Sequence, residues 1–448
     1  MEPITLNEIV KWTDGYCVSK NDSIVFDNIS TDSRACVHGC LFIALKGKNF
    51  DGHDFVSDAV KSGAKAVVVE KKLPVDTAQI IVPDTLKALG DIAKHYRRKF
   101  WCPVIGITGS DGKTTTKEMC AQFLSSRFNV CKNQGNFNNE IGLPLSIMTM
   151  TKSTEVGIFE LGMNGYGQLD YLGQVLQPDI VIVTSIGYAH LGFFKNRKDL
   201  ARTKAEVLQH TRPDGHAFIN GDTNFFDVFN EKLLFRPVYA GLNPSNDFQG
   251  IIAEYQGDQF TFKIKQWQHI NFKIKSWNGA IAYPSLFSIL IADYFGVPRN
   301  LLPKLIYDFV LISGRGQVKD VADLKIFDES YNANPGSMSF ALQYFAKQKA
   351  KRKIAVIGCM AELGKWSKFY HKKIAALVRK LNFDAVFTIG DDAEIISLSS
   401  STINRHFENI EDMAEYVCNF VRPGDAILVK GSRVNKLEIV VQKLVGKQ

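Results

Sequence analysis

The amino-acid sequence predicts an α/β protein of three successive segments, the middle one built on a mostly parallel sheet with a small antiparallel addition. Three observations predict it. Short apolar runs of strand length alternate with helical patterns along nearly the whole chain. One such run, "PVIGIT" (103–108), is followed by a Gly-rich turn and a helix with Met119, Cys120, Phe123 and Leu124 on one face. Residues 247–277 depart from this rhythm and alternate apolar with polar positions. The 448 residues exceed one ordinary domain, and an apolar share of 45% supports real cores.

The first segment, residues 1–100, carries the apolar runs "CLFIAL", "AKAVVV" and "QIIV". A basic helix tail, "IAKHYRRKF", leads out of it, which places a boundary near residue 100. In the second segment, 101–313, the buried strands are "PVIGIT", "VGIFELG", "DIVIVTSIG" and "HAFINGD". The antiparallel addition places Phe260, Phe262, Ile264, Ile270, Phe272 and Ile274 on one face. The third segment, 314–448, returns to α/β with "LKIFDESY", "KIAVIGCM", "DAVFTIGDD" and "DAILVKGS". Neither internal repeats nor low-complexity stretches interrupt this order.

No apolar run is long enough to span a membrane. The opening "MEPITLNEIV" lacks the basic start and apolar stretch of a signal peptide, so a cytoplasmic protein is expected. The eight cysteines are scattered, and several sit in apolar patterns, which predicts reduced and mostly buried thiols. Cys36 and Cys40 lack the second pair that a zinc site needs. The net charge of +8 is spread widely. Its densest run, "KQKAKRK" (347–353), is either a nucleic-acid contact or a solvated helix end, and its place before a strand favours the helix end. No nucleic-acid partner is expected.

The turn "GITGSDGKTTTKEM" (106–119) misses the strict phosphate-loop spacing, with Ile107 where the first Gly belongs. The chemistry is nevertheless intact. Gly109, Asp111 and Gly112 lead into a helix N-terminus, where several backbone N–H groups converge in the way phosphate requires. Lys113 adds charge for terminal phosphates, and the hydroxyl of Thr114 or Thr115 suits Mg²⁺. The competing reading is a plain Ser/Asp/Thr helix cap. Open α/β sheets bind ligands beyond the carboxyl ends of their strands. Glu160, Ser185, His190, Asn220 and Asp222 fall at or just past those ends. Glu160 suits Mg²⁺ through oxygen or is an exposed strand-end charge; His190 suits a metal or phosphate or is a hydrogen-bonded loop residue.

"TGSDGKTTT", "GNFNNEIGLPLS", "ELGMN", "AHLG", "GRG", "DESYNANPGSM" and "GCMAELGKWS" together resemble the Mur ligase family of ATP-dependent amide-forming enzymes, whose phosphate loop commonly departs from the strict spacing. The resemblance covers nearly the whole chain. It implies a three-domain architecture: an N-terminal UDP-sugar-binding domain, a central ATP-binding domain, and a Rossmann-like C-terminal domain that closes on the nucleotide. "SYNANP" is most similar to the branch that joins D-alanyl-D-alanine to a UDP-N-acetylmuramoyl tripeptide through an acyl phosphate. The implied cofactors are ATP and two Mg²⁺ ions, and the implied state is a monomer.

By motif position the resemblance implies that Lys113 and Thr114 hold the phosphates and the first Mg²⁺. Glu160 and His190 are associated with metal, and Lys204 of "ARTKAEVL" stands where the family carries a carbamylated lysine, a second Mg²⁺ ligand. From composition alone Lys204 is a surface helix lysine. Asn278, Arg315, Asp328 and Asn332 are implied at the nucleotide; Ser33, Arg34, Asn136, Asn138 and Asn334 at the substrate, with "MAELG" near its peptide end. Two positions depart from the family. Ser185 stands where Asn is frequent, and "SWNGAIAYPSL" offers Trp277 and Asn278 without the usual His before the Asn. Trp277 either stacks on a base or packs in a core, the core being preferred. The rivals are a different Mur-type or folylpolyglutamate-type ligase, a nucleotide binder without catalysis, and a nucleic-acid-dependent ATPase.

Overall fold

The apolar run Val104–Thr108 is a fully buried strand inside the largest sheet, third from one edge. The computed structural model describes residues 1–18, 24–47, 49–256, 258–267, 269–399 and 402–446. Lys48 of the first segment, and Gly257 and Gln268 of the antiparallel stretch, lie outside them. Among the described residues the central sheet has nine strands in the order Asn271–Ile274, Gln259–Ile264, Phe248–Gln256, Val238–Gly241, His216–Asn220, Ile180–Val183, Val104–Thr108, Val156–Glu160, Val130–Lys132. The run from Phe248–Gln256 to Val130–Lys132 is parallel, and the other two strands add antiparallel. There Phe260, Phe262, Ile264, Phe272 and Ile274 are buried and Ile270 packs beside them, as the alternation predicts.

Register brings the functional edge together. Glu160 pairs with Ile107, Val183 with Thr108 and Ile219 with Val183, so the phosphate turn, Glu160, the 184–190 loop and Asn220 leave the sheet at one edge. The first sheet orders Tyr16–Cys17, Ala78–Ile81, Ala66–Val69, Leu41–Ile43 and Ile29–Ser30, parallel except at its first pair. The third orders Gln317–Val321, Leu324–Glu329, Asp425–Lys430, Arg352–Gly358, Ala385–Ile389 and Ile403–Phe407, antiparallel only between Gln317–Val321 and Leu324–Glu329.

The cores show how these units are joined. One continuous apolar cluster runs from Ile4 through Ile92, Leu143 and Phe159 to Tyr239, so the first sheet and one face of the central sheet share a core. At that joint the Tyr96 hydroxyl donates to the Met150 carbonyl and accepts from the Glu2 N–H, both at 2.6 Å. Arg97 meets Asp179 at 2.9 Å, and Asp179 also accepts the Val104 N–H, tying the helix Thr85–Arg97 to the first central strand. Trp277 is fully buried, but in the core of the third sheet. Its ring meets Phe327 edge-on at 4.9 Å, and its N–H donates to the Gly316 carbonyl at 3.1 Å. That decides for core over base stacking.

The basic run 347–353 begins at the cap of the helix Pro335–Ala346 and ends in the first residues of the strand Arg352–Gly358. Arg352 pairs with the buried carboxylate of Asp425 at 2.5 Å. Cys36, Cys40, Cys120 and Cys359 are buried, with burial pushing the Cys40 thiol up to about 12. Among the described residues no helix is long and apolar enough to cross a membrane.

Candidate active site

Gly109 and Gly112 both hold positive φ (146° and 83°), which lets the chain turn from strand to helix with its N–H groups outward. A Cβ on Gly109 would sit 2.0 Å from Thr184 Oγ1, so the first turn also needs glycine for space. The loop is braced from the neighbouring strand end. Thr184 Oγ1 donates to the Asp111 carbonyl (2.6 Å), and the Ser185 hydroxyl accepts the Asp111 N–H (2.8 Å) while its own carbonyl accepts from Ser110 N–H (2.9 Å). The Ser185 hydroxyl also donates to the Asp111 carbonyl (3.2 Å), so at this position, where Asn is frequent in the family, it supplies both a donor and an acceptor. Lys113 opens the helix Lys113–Leu124 and rests on the Gly109 and Ser110 carbonyls at 2.9 and 3.4 Å. Ser110 Oγ is buried beside it with no hydrogen-bond partner among the described residues.

A second layer surrounds the loop. Thr114 Oγ1 donates to Glu160 Oε2 (2.8 Å), and Asn138 Nδ2 donates to Glu160 Oε1 (2.7 Å). Lys204 is 2% exposed, and its amine donates to the Gly109 carbonyl at 3.1 Å. Burial, and after it the like charge of Lys113, hold that amine well below the ordinary lysine range. The composition-based surface reading of Lys204 is thus overturned: the helix Arg197–Ala205 turns it inward. His190 sits at φ 61°, with Nδ1 2.7 Å from Glu362 Oε2 of the third domain. The imidazole beside it holds the Glu362 carboxyl below its ordinary range.

The third domain forms the opposite rim. Asn334 Nδ2 donates to Asp111 Oδ1 at 2.5 Å, reaching the phosphate loop itself. Asn278 Nδ2 donates to Glu329 Oε1 (3.1 Å), whose other oxygen accepts from the buried Lys430 (3.1 Å). The Lys430 amine also donates to the Asn332 carbonyl. The Arg315 guanidinium lies 3.9 Å over the Tyr331 ring. Between the rims lies a cleft of about 570 Å³.

Of the residues singled out in the sequence, Asp111, Gly112, Lys113, Thr114, Thr115, Asn136, Asn138, Glu160, His190, Asn278, Arg315, Asn332 and Asn334 line this cleft. Gly109 and Lys204 lie directly beneath the loop. Asp328 does not line it; its buried carboxylate accepts from Ser330 Oγ (2.6 Å) and pairs with Lys319 (2.8 Å). Ser33 and Arg34 lie in a short turn of the first domain outside the cleft, where Arg34 is paired with Asp32 at 2.8 Å. Glu329 and Lys430 were missed. They are neighbours in register at the carboxyl ends of Leu324–Glu329 and Asp425–Lys430, and the Lys after "DAILV" was the available signal.

Comparison with known proteins fits this geometry. Models of the Mur ligase middle domain, the Mur ligase glutamate ligase domain and the Mur ligase catalytic domain match residues 107–289, 314–433 and 25–97. The chain belongs to the Mur ligase family. It is 33% identical to the UDP-N-acetylmuramoyl-tripeptide–D-alanyl-D-alanine ligase of Bacillus subtilis, over 95% of this chain and 94% of that one. The fold superposes on MurF of Acinetobacter baumannii with a TM-score of 0.92 at 27% identity, covering 100% and 99% of the two chains. It superposes on the MurF ligase of Thermotoga maritima in complex with ADP with a TM-score of 0.85 at 27% identity, covering 94% and 97%.

Proposed function

We propose that this chain joins D-alanyl-D-alanine to a UDP-N-acetylmuramoyl tripeptide at the expense of ATP, the reaction for which its relatives are named. The observation that carries this reading is the phosphate turn, with Lys113, Thr114 and Glu160, facing the 329–337 loop of the third domain across one cleft. A free carboxylate is a poor acyl donor, so the tripeptide carboxylate takes the γ-phosphoryl group of ATP to become an acyl phosphate. The dipeptide amine then attacks the carbonyl carbon, and the tetrahedral intermediate expels phosphate. Both steps concentrate negative charge, which Lys113 and the N–H groups at the start of its helix are placed to stabilise. An α-amine has a reference pKa of about 8, so only modest help is needed for it to lose a proton.

The residues present fit Mg²⁺. Thr114 Oγ1 and Glu160 Oε2, 2.8 Å apart at the cleft, are oxygen donors of the kind Mg²⁺ takes alongside substrate phosphates. Lys204 fits carbamylation, because burial works against its protonated form and CO₂ reacts with the unprotonated amine. As a carbamate it would present anionic oxygens, with His190, to a second Mg²⁺. Bound Mg²⁺ would neutralise charge on the transferring phosphoryl group. Closure of the third domain, with Arg315 and Asn332 at the nucleotide, would keep water from the acyl phosphate. Residues 1–100, with Ser33 and Arg34, are read as the UDP-sugar-binding domain, 101–313 as the ATP-binding domain and 314–448 as the domain taking the dipeptide.

The test is phosphate release from ATP and Mg²⁺ with UDP-N-acetylmuramoyl tripeptide, with and without D-Ala-D-Ala, using both diaminopimelate- and lysine-containing tripeptides. Release that requires the dipeptide and yields the pentapeptide is expected. No release with either tripeptide, in protein that binds ATP, would overturn the reading.

A further inference from the structure

The loop 358–367 of the third domain is docked on the 188–194 loop of the central domain by more than one kind of contact. The Gly192 N–H donates to the Glu362 carbonyl at 2.9 Å. Gly192 and Gly364 touch backbone to backbone; a Cβ on Gly192 would lie 2.6 Å from Gly364 N. Tyr188 and Tyr370 bring their rings to 5.1 Å. Inside this seam His190 and Glu362 both adopt left-handed backbone, φ 61° and 62°. Such conformations are strained for a non-glycine residue and persist where surroundings enforce them. Two of them facing each other across a domain boundary, with Nδ1 and Oε2 at 2.7 Å, mark a contact the fold holds in place.

We infer that Glu362 is a positioning residue for the ligation: it orients His190 toward the phosphate loop, and does so only when the third domain is docked. The imidazole has two nitrogens, and Nδ1 lies against the Glu362 carboxylate at 2.7 Å, so Nε2 is the one left for a phosphate oxygen or a cation. His190 lines the cleft shared with Lys113 and Thr114, while Glu362 stands behind it and lines none of it. The nucleotide-facing histidine is thereby completed by the domain that closes over it, which couples docking to phosphoryl transfer. This inference rests on the ligase reading above.

The experiment measures steady-state ligation by the full chain and by Glu362→Ala, Glu362→Gln, His190→Ala and the double variant His190→Ala/Glu362→Ala. Losing a group that orients a functional histidine typically costs about tenfold to a hundredfold. Glu362→Ala is therefore expected to lower kcat at least tenfold, with KM for the UDP-linked tripeptide within about twofold of the parent. Glu362→Gln, which keeps an acceptor oxygen, should recover most of that loss. The double variant should be no slower than His190→Ala alone, because both changes remove the same function. Parent-like kcat in Glu362→Ala, or losses that simply multiply in the double variant, would overturn the inference. If Glu362→Ala does not fold, Glu362→Gln against His190→Ala decides, and equal losses in those two would count against it. Ligation absent from the parent chain would overturn the ligase reading and this inference with it, whereas an active parent with an indifferent Glu362 overturns the inference alone.

Discussion

The central domain is joined to its two neighbours in opposite ways. Toward the first domain the joint is apolar and continuous, one core from Ile4 to Tyr239, with the polar groups inside it paired as Arg97–Asp179 and Tyr96–Met150. Toward the third domain the contacts around the cleft are polar: Asp111–Asn334, His190–Glu362 and Asn278–Glu329. Trp277 is the main apolar pin there, with Tyr188–Tyr370 and Tyr255–Tyr344 ring contacts beside the cleft. A large apolar interface holds domains as one body, while a polar one permits relative motion. The first two domains thus share one core as a platform, and the polar joint of the third is the one that permits the closure proposed above.

The sharpest way to separate the cleft from both joints is Lys113→Ala. Removing a cation aimed at developing charge is expected to slow ligation about 10³-fold. Thermal unfolding should stay put, because the Lys113 amine hydrogen-bonds only to loop carbonyls among the described residues. Trp277→Ala attacks the looser joint. Emptying a fully buried Trp position should cost the third domain about 3 kcal/mol or more, seen as earlier unfolding of that domain by calorimetry while the platform transition is unmoved. A single shifted transition for the whole chain would show that the joints are equally tight. Tyr96→Phe probes the firm joint with the smallest change. It removes the donor to Met150 and should cost about 1 kcal/mol in the platform, with kcat unaffected.

The platform half of this picture was legible in the sequence because it is built from local signals. The parallel strands announce themselves as continuous apolar runs, and the phosphate loop as a Gly-rich turn between strand and helix. Glu160 and His190 could be placed because strand ends in a parallel sheet share one edge. What was not legible depends on contacts distant in sequence. Apart from the family resemblance, Lys204 reads as a solvated helix lysine until the helix is seen to turn it under Gly109, 95 positions away. Trp277 lies in the middle segment but belongs to the third domain's core. Glu362 and Lys430 gain meaning only from partners on other strands and, for Glu362, another domain.

The most direct test of a fixed platform under a closing third domain is hydrogen exchange with and without a nonhydrolysable ATP analogue and the UDP-linked tripeptide. Slowed exchange is expected on both rims, at residues 109–116 and at 328–337 and 358–367, with the 92–104 joint unchanged. Protection confined to 109–116, with the third-domain loops exchanging as before, would contradict it.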